Sequence, residues 1–164
     1  MSARRRSYES GHKPKFLVVI DDTPECDRAL YFASRRSLRI GATVVMLQVI
    51  ETQDRNQQWL GVADIMRAEA HEAANAALDR HAARSSSITG NQPERVIREG
   101  DRTEELLKLI DEDEDIAILI LAAATSKEGP GPLVSSFAKG AGTFPIPVAI
   151  VPGHLSDEDL DSMT

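Results

Sequence analysis

The chain has a single cysteine, Cys26, so no disulfide can form within it. A lone thiol suits a reducing compartment, and a cytoplasmic location is expected. No apolar run approaches the ~20 residues of a membrane-spanning helix, so no membrane partner is expected. Arg4, Arg5 and Arg6 are not followed by an apolar segment of signal-peptide length, and no secretion signal is read. Beyond the start of the chain, acidic residues outnumber basic ones. Residues 1–15 carry five basic side chains (Arg4, Arg5, Arg6, Lys13 and Lys15) against Glu9 alone, a local +4, which leaves −11 on the rest of a chain whose total is −7. An acidic body does not suit nucleic acid, where phosphate contacts dominate affinity. The basic arm, residues 1–13, reads as a flexible, solubilising segment. Neither an internal repeat nor a second domain is visible, and 164 residues with 41% apolar and 27% charged content fit one globular domain.

The stretch that organises the chain is residues 15–25. Residues 16–20 form a continuous apolar, partly β-branched run, as expected of a strand buried on both faces. Asp21 and Asp22 follow, then Thr23, Pro24 and Glu25. Thr23 suits a helix N-cap, Pro24 the first helical position, and Glu25 the positive end of the helix dipole. A central strand therefore delivers an acidic pair to its carboxyl end beside a helix N-terminus, where open α/β sheets bind ligands.

Downstream, strand and helix patterns alternate. Helical spacing over 24–40 places Cys26, Leu30, Ala33, Ser37 and Ile40 on one face, and Gly41 closes it. Residues 43–50 read as the second strand. An alanine-rich helix is expected over 57–84, with Trp59, Ala63, Met66, Ala70, Ala73 and Ala77 as its core stripe. Ser85, Ser86 and Ser87 together with Gly90 and Pro93 punctuate a loop. A short third strand spans 94–98, and Asp101 with Glu104 opens the next helix in a capping-box pattern. The five carboxylates of 111–115 read as a solvated helix end. Strands at 116–121 and 147–151 flank a glycine- and proline-rich loop and a short helix at 134–141. Residues 153–164 form an acidic tail in which a last helical turn could start. The order β-α-β-α-β-α-β-α-β with nearly all-apolar strands implies a parallel sheet covered on both faces.

Chemistry-bearing patterns are sparse. His12, His71, His81 and His154 are scattered, and the ten residues between His71 and His81 turn about 1000°, roughly 80° short of three whole helical turns, so the pair shares no tight metal face. Cys26 lies on an apolar stripe as core filler. The acidic pair prompts comparison with a phosphoacceptor receiver domain, but the last strand runs into Pro152 and Gly153 rather than a lysine. With no Ser-His-Asp, metal-ligand or acid/base arrangement, no enzymatic activity and no metal site are expected.

Three stretches together resemble the universal stress protein family over residues 14–152. The opening at 16–30 is similar to a family strand followed by Asp-Gly-Ser and a helix containing Ala29-Leu30. Arg98-Glu-Gly-Asp101 with its helix resembles the third strand and turn, and Pro145-Ile-Pro147 with 148–152 the terminal strand. The resemblance implies an α/β three-layer sandwich, a five-stranded parallel sheet of order 3-2-1-4-5 with helices on both faces. It also implies a homodimer paired through the fifth strand, residues 148–151 from Val148 to Val151, and a role in stress response through a protein partner that the sequence does not name. In ATP-binding members adenosine lies at the carboxyl ends of strands 1 and 4, beside a Gly-x2-Gly-x9-Gly-Ser/Thr loop.

This chain departs from that loop. Ala124 and Lys127 stand at the first two glycine positions, the loop is about two or three residues short, and Pro130 and Pro132 carry no N–H. Asp21 matches the family's adenosine-facing aspartate, while Asp22 replaces a glycine. The candidate nucleotide-site residues are Asp21, Asp22, Lys127, Gly129, Gly131, Ser135 and Ser136. No cofactor is fixed by the sequence, and ATP is a possible ligand. The expected function is a regulatory or binding protein with a degenerate nucleotide site. The alternative is an adenine-nucleotide sensor (ATP or AMP) with ligand between the ends of strands 1 and 4.

Overall fold

The computed structural model describes residues 4–51 and 60–164. Five strands, β1 (Lys15–Val19), β2 (Thr43–Ile50), β3 (Glu94–Glu99), β4 (Ile116–Ala123) and β5 (Val148–Pro152), form one parallel sheet of order β3-β2-β1-β4-β5. The helices are α1 (Cys26–Ile40), α2 (Leu60–Thr89), α3 (Arg102–Glu112), α4 (Pro132–Ala138) and α5 (Asp157–Met163), with a 3₁₀ turn at Ala141–Thr143. The expected sheet order and three-layer sandwich are both present.

Alternation along the strands sorts the core into two halves. Phe16, Val18, Ile20, Val44 and Met46 face one layer and meet Leu30 and Ala33 of α1, Leu78 and Ala82 of α2, and Leu160 of α5. Leu17, Val19, Val45, Leu47 and Leu121 face the other and meet Leu106, Leu109 and Ile110 of α3 and Val134 of α4. β1 is central and its apolar run has almost no exposure, which is why it carries no polar alternation. Gly41, at φ 74°, ends α1 as expected, its N–H bonding to the Ser37 carbonyl.

Three local expectations need correction. First, Thr23 does not cap α1. The helix starts at Cys26, and the Thr23 hydroxyl donates to Asp21 instead. Second, Ser85, Ser86 and Ser87 lie inside α2, which continues to Thr89. Serine breaks a helix by offering the backbone other hydrogen bonds. Here Ser85 Oγ pairs with Ser34 Oγ at 2.8 Å across the α1–α2 contact, and Ser87 Oγ returns to the Arg84 carbonyl, so the ladder survives. Third, the buried stripe of α2 is Ala74, Leu78, Ala82 and Ser85; Ala63, Met66 and Ala73 are exposed, and Ala70 and Ala77 only half-buried. Alanine occupies every face of this helix, so spacing has no contrast from which to choose one. Trp59 and the expected start at residue 57 lie outside the described residues.

Both ends of the chain fold onto the domain. Arg5 donates to the carbonyls of Ile110 and Asp113 at the C-terminal end of α3, where cations suit the helix dipole. His12 Nδ1 lies 2.6 Å from Asp115 and Lys15 Nζ 2.8 Å from Asp113, so the acidic run is partly paired, by the basic arm and by the first residue of β1, rather than simply solvated. In the 153–164 segment, α5 opens with a reciprocal capping box between Ser156 and Asp159 and buries Leu160. Tyr31 donates to Asp161, and Arg28 and Arg84 hold Asp157. This helix lies against α1, and among the described residues the outer edge of β5 is unpaired, with Ile150 45% exposed. Among the described residues no helix is long and apolar enough to cross a membrane.

Candidate functional site

β1 and β4 are neighbours, and their carboxyl ends open onto one crevice. Asp21 lies there half-buried, its Oδ1 accepting from the backbone N–H of Thr23 at 3.1 Å and from the Thr23 hydroxyl. Asp21 thus shapes the turn into α1 while keeping its second oxygen for other contacts. Asp22 is exposed.

The loop after β4 is tied down by its own backbone. The Ala124 N–H donates to the Pro130 carbonyl at 2.9 Å and the Gly129 N–H to the Ser126 carbonyl at 3.2 Å. Gly129 (φ 123°) and Gly131 (φ 96°) both hold backbone angles that L side chains rarely adopt. Their conformational freedom is spent on turning the loop, and the Gly129 donor is spent as well. Lys127 and Glu128 are exposed side by side at the tip.

α4 begins at Pro132, earlier than the expected 134, because proline fits the first helical turn. Ser135 and Ser136 consequently lie one turn into the helix rather than at its start. The Ser135 N–H already bonds the Gly131 carbonyl at 3.0 Å, and Ser136 Oγ lies 3.5 Å from Thr103 Oγ1 on α3. Asp21 stands just after β1 and Gly131 just before α4, while Ser136 faces α3.

One residue at the crevice was not among the candidates. Glu25, which the sequence presents only as a partner of the α1 dipole, sends its side chain across the strand ends. A Cβ placed on Gly131 would lie 3.3 Å from Glu25 Oε1, and one placed on Gly153 would lie 3.3 Å from the Glu25 Cβ. Gly153 is required there, since its Cβ would fall 2.4 Å from the Ala123 carbonyl. Glu25 therefore sits between the start of α4 and the exit of β5. An acid near Asp21 was visible in the sequence, but its two glycine neighbours lie more than a hundred residues away.

Other reactive groups are occupied or inert. Burial pushes the Cys26 thiol up to about 12, so it stays protonated as core filler, its Sγ 3.8 Å from the Val19 carbonyl. Glu99, at the end of β3, takes both Arg67 (2.6 and 2.7 Å) and His71 (2.9 Å), and these partners hold its carboxyl down at about 2. Among the described residues no three His, Cys, Asp or Glu side chains are grouped to hold a metal ion.

Comparison with known proteins agrees with this architecture. Similar solved structures include universal stress protein UspA from Lactobacillus plantarum, with 17% identity and a TM-score of 0.70, the match covering 84% of this chain and 97% of that one. A universal stress protein in complex with cAMP matches at 16% identity and TM-score 0.62, over 85% and 97% of the two chains. A universal stress protein family protein from Arabidopsis thaliana with AMP bound matches at 16% and 0.58, over 88% and 94%. At such identities the likeness is one of fold. No curated protein matches the chain by sequence. The model of the Universal stress protein family does match, over residues 14–152, the span on which all five strands lie, and the chain belongs to the universal stress protein family.

Proposed function

We propose that the protein is a stress-response regulatory module that acts by binding a protein partner as a homodimer, and that its nucleotide site is degenerate. The observation that carries this reading is the Glu25 carboxylate beside Gly131, at the place where a phosphate would need N–H donors and positive charge. Pro130 and Pro132 add no donors, and the Ala124 and Gly129 N–H groups are bonded within the loop. The dimer reading is supported by the unpaired edge of β5 with Ile150 exposed, since a bare edge strand must be covered or paired. Pro147 at the strand's entrance limits that pairing to 148–151. No catalytic group is assigned.

Calorimetric titration with ATP, ADP and AMP, with and without magnesium, tests the site. Weak or undetectable heats are expected. Submicromolar binding of any of the three would replace this reading with the second one, an adenine-nucleotide sensor. That second reading has specific support in Asp21, whose second oxygen is left for an adenosine, and in Lys127, exposed at the loop tip within reach of a phosphate.

A further inference from the structure

Below the crevice, on the α3–α4 side of the sheet, lies a cavity of about 210 Å³. Its floor is apolar and buried, formed by Val19 of β1, Leu121 of β4 and Leu106 of α3. Leu133 and Phe137 of α4 line one wall, with Phe144 packed edge-on against Phe137 at a centroid distance of 4.7 Å. The lining turns polar toward solvent, where Ser136 and Thr143 are exposed and Arg102 and Thr103 stand at the start of α3. An engineered apolar cavity of about 150 Å³ already takes up benzene. This one has room for a ring with a short substituent.

Arg102 sets the chemistry of the mouth. Among the described residues its partner is Glu51, with Nε 3.5 Å from Oε1, which leaves the terminal nitrogens of the guanidinium for a second acceptor. A guanidinium fork matches a carboxylate in a bidentate pair. Glu51, together with Glu104 and Glu105 in the first turn of α3, keeps the surroundings acidic and so disfavours a doubly charged phosphate. We propose that this cavity is a binding site for a compact apolar carboxylate, its ring or branched chain among Leu106, Leu121, Leu133 and Phe137 and its carboxylate on Arg102. Its ligand is not a nucleotide.

The test uses the full chain with ¹³C-labelled leucine and valine methyls, titrated with 4-ethylbenzoate and with the neutral 4-ethylbenzyl alcohol. Saturable shifts of the Val19, Leu106, Leu121 and Leu133 methyls at millimolar ligand are expected, with the acid binding about tenfold tighter than the alcohol. Arg102→Gln should erase that preference. Leu133→Trp should block both ligands. If that variant fails to fold, Ser136→Phe at the exposed mouth closes the same entrance without touching the core. The proposal is overturned if the four methyls do not shift, if Arg102→Gln preserves the preference for the acid, or if AMP displaces the benzoate competitively and so marks the cavity as part of a nucleotide site.

Discussion

Replacing Glu25 with glutamine should open the crevice to anions. The change keeps side-chain volume and removes one negative charge, with Oε1 3.3 Å from a Cβ position on Gly131. A phosphate approaching the start of α4 would come within roughly 5 Å of that oxygen. Two unit charges at about 5 Å repel by ~3 kcal/mol at an effective dielectric of 20 and by under ~1 kcal/mol in bulk water. The crevice is partly open to solvent, so about 1–2 kcal/mol is expected, a gain of roughly five- to thirtyfold in affinity for AMP or ATP. The cost to the fold is small. A glutamate at a helix N-terminus is worth about 0.3–1 kcal/mol through the dipole, and that is what the variant loses in denaturant unfolding.

Calorimetry of wild type and Glu25→Gln with AMP at two salt concentrations isolates the cause. A repulsion between partly exposed charges is screened as the Debye length shrinks from about 10 Å at 0.1 M to about 3 Å at 1 M salt. The two proteins should therefore differ most at low salt and converge at high salt. If their affinities agree within twofold at low salt, Glu25 is not what excludes the nucleotide. A difference that persists at high salt would point to shape rather than charge.

Lys127→Ala should leave the heats of ATP titration unchanged, because a single exposed ammonium beside Glu128 cannot replace the missing loop donors; abolition of a tight wild-type signal would reverse this. Ile150→Lys should convert the proposed dimer to a monomer by light scattering at micromolar concentration, whereas a wild-type protein already monomeric there would remove the β5 interface. Leu160→Ala should cost roughly 2–5 kcal/mol of unfolding free energy if α5 is part of the cooperative core, and a loss below half a kilocalorie would show a separately fraying helix. For Glu99 the sign follows from its depressed carboxyl, at about 2 against an ordinary 4.5. Its contribution is complete above pH 4.5 and fades as pH falls toward 2, so Glu99→Gln should flatten the acid limb of the stability profile across that window and run parallel to wild type above it. Identical acid limbs for the two proteins would show the Arg67–His71 clasp to be without thermodynamic weight.

The sheet was legible because each strand announces itself locally. Residues 16–20 and 116–121 are apolar at every position, which only a strand covered on both faces tolerates, and the turn residues between them fix a βαβ rhythm. α2 was legible as a helix but not in its orientation, since alanine on all sides names no face; the buried side was chosen by Leu78 and by the Ser34–Ser85 contact with α1, a tertiary event. The same division runs through the site. A family loop that binds phosphate with bare backbone leaves its signature as glycine, so the loss of those glycines at Ala124 and Lys127 can be read directly from the chain. What stands beside that loop cannot. Glu25 reaches the crevice because β1 and β4 are adjacent and because Gly131 and Gly153 lack side chains that would keep it out. Its role depends on three segments meeting, and none of the three signals it alone. The departures from the family loop are thus visible in sequence as missing donors, while the position of Glu25, and the apolar cavity on the α3–α4 side, become visible only once α3, α4 and the strand ends are in place.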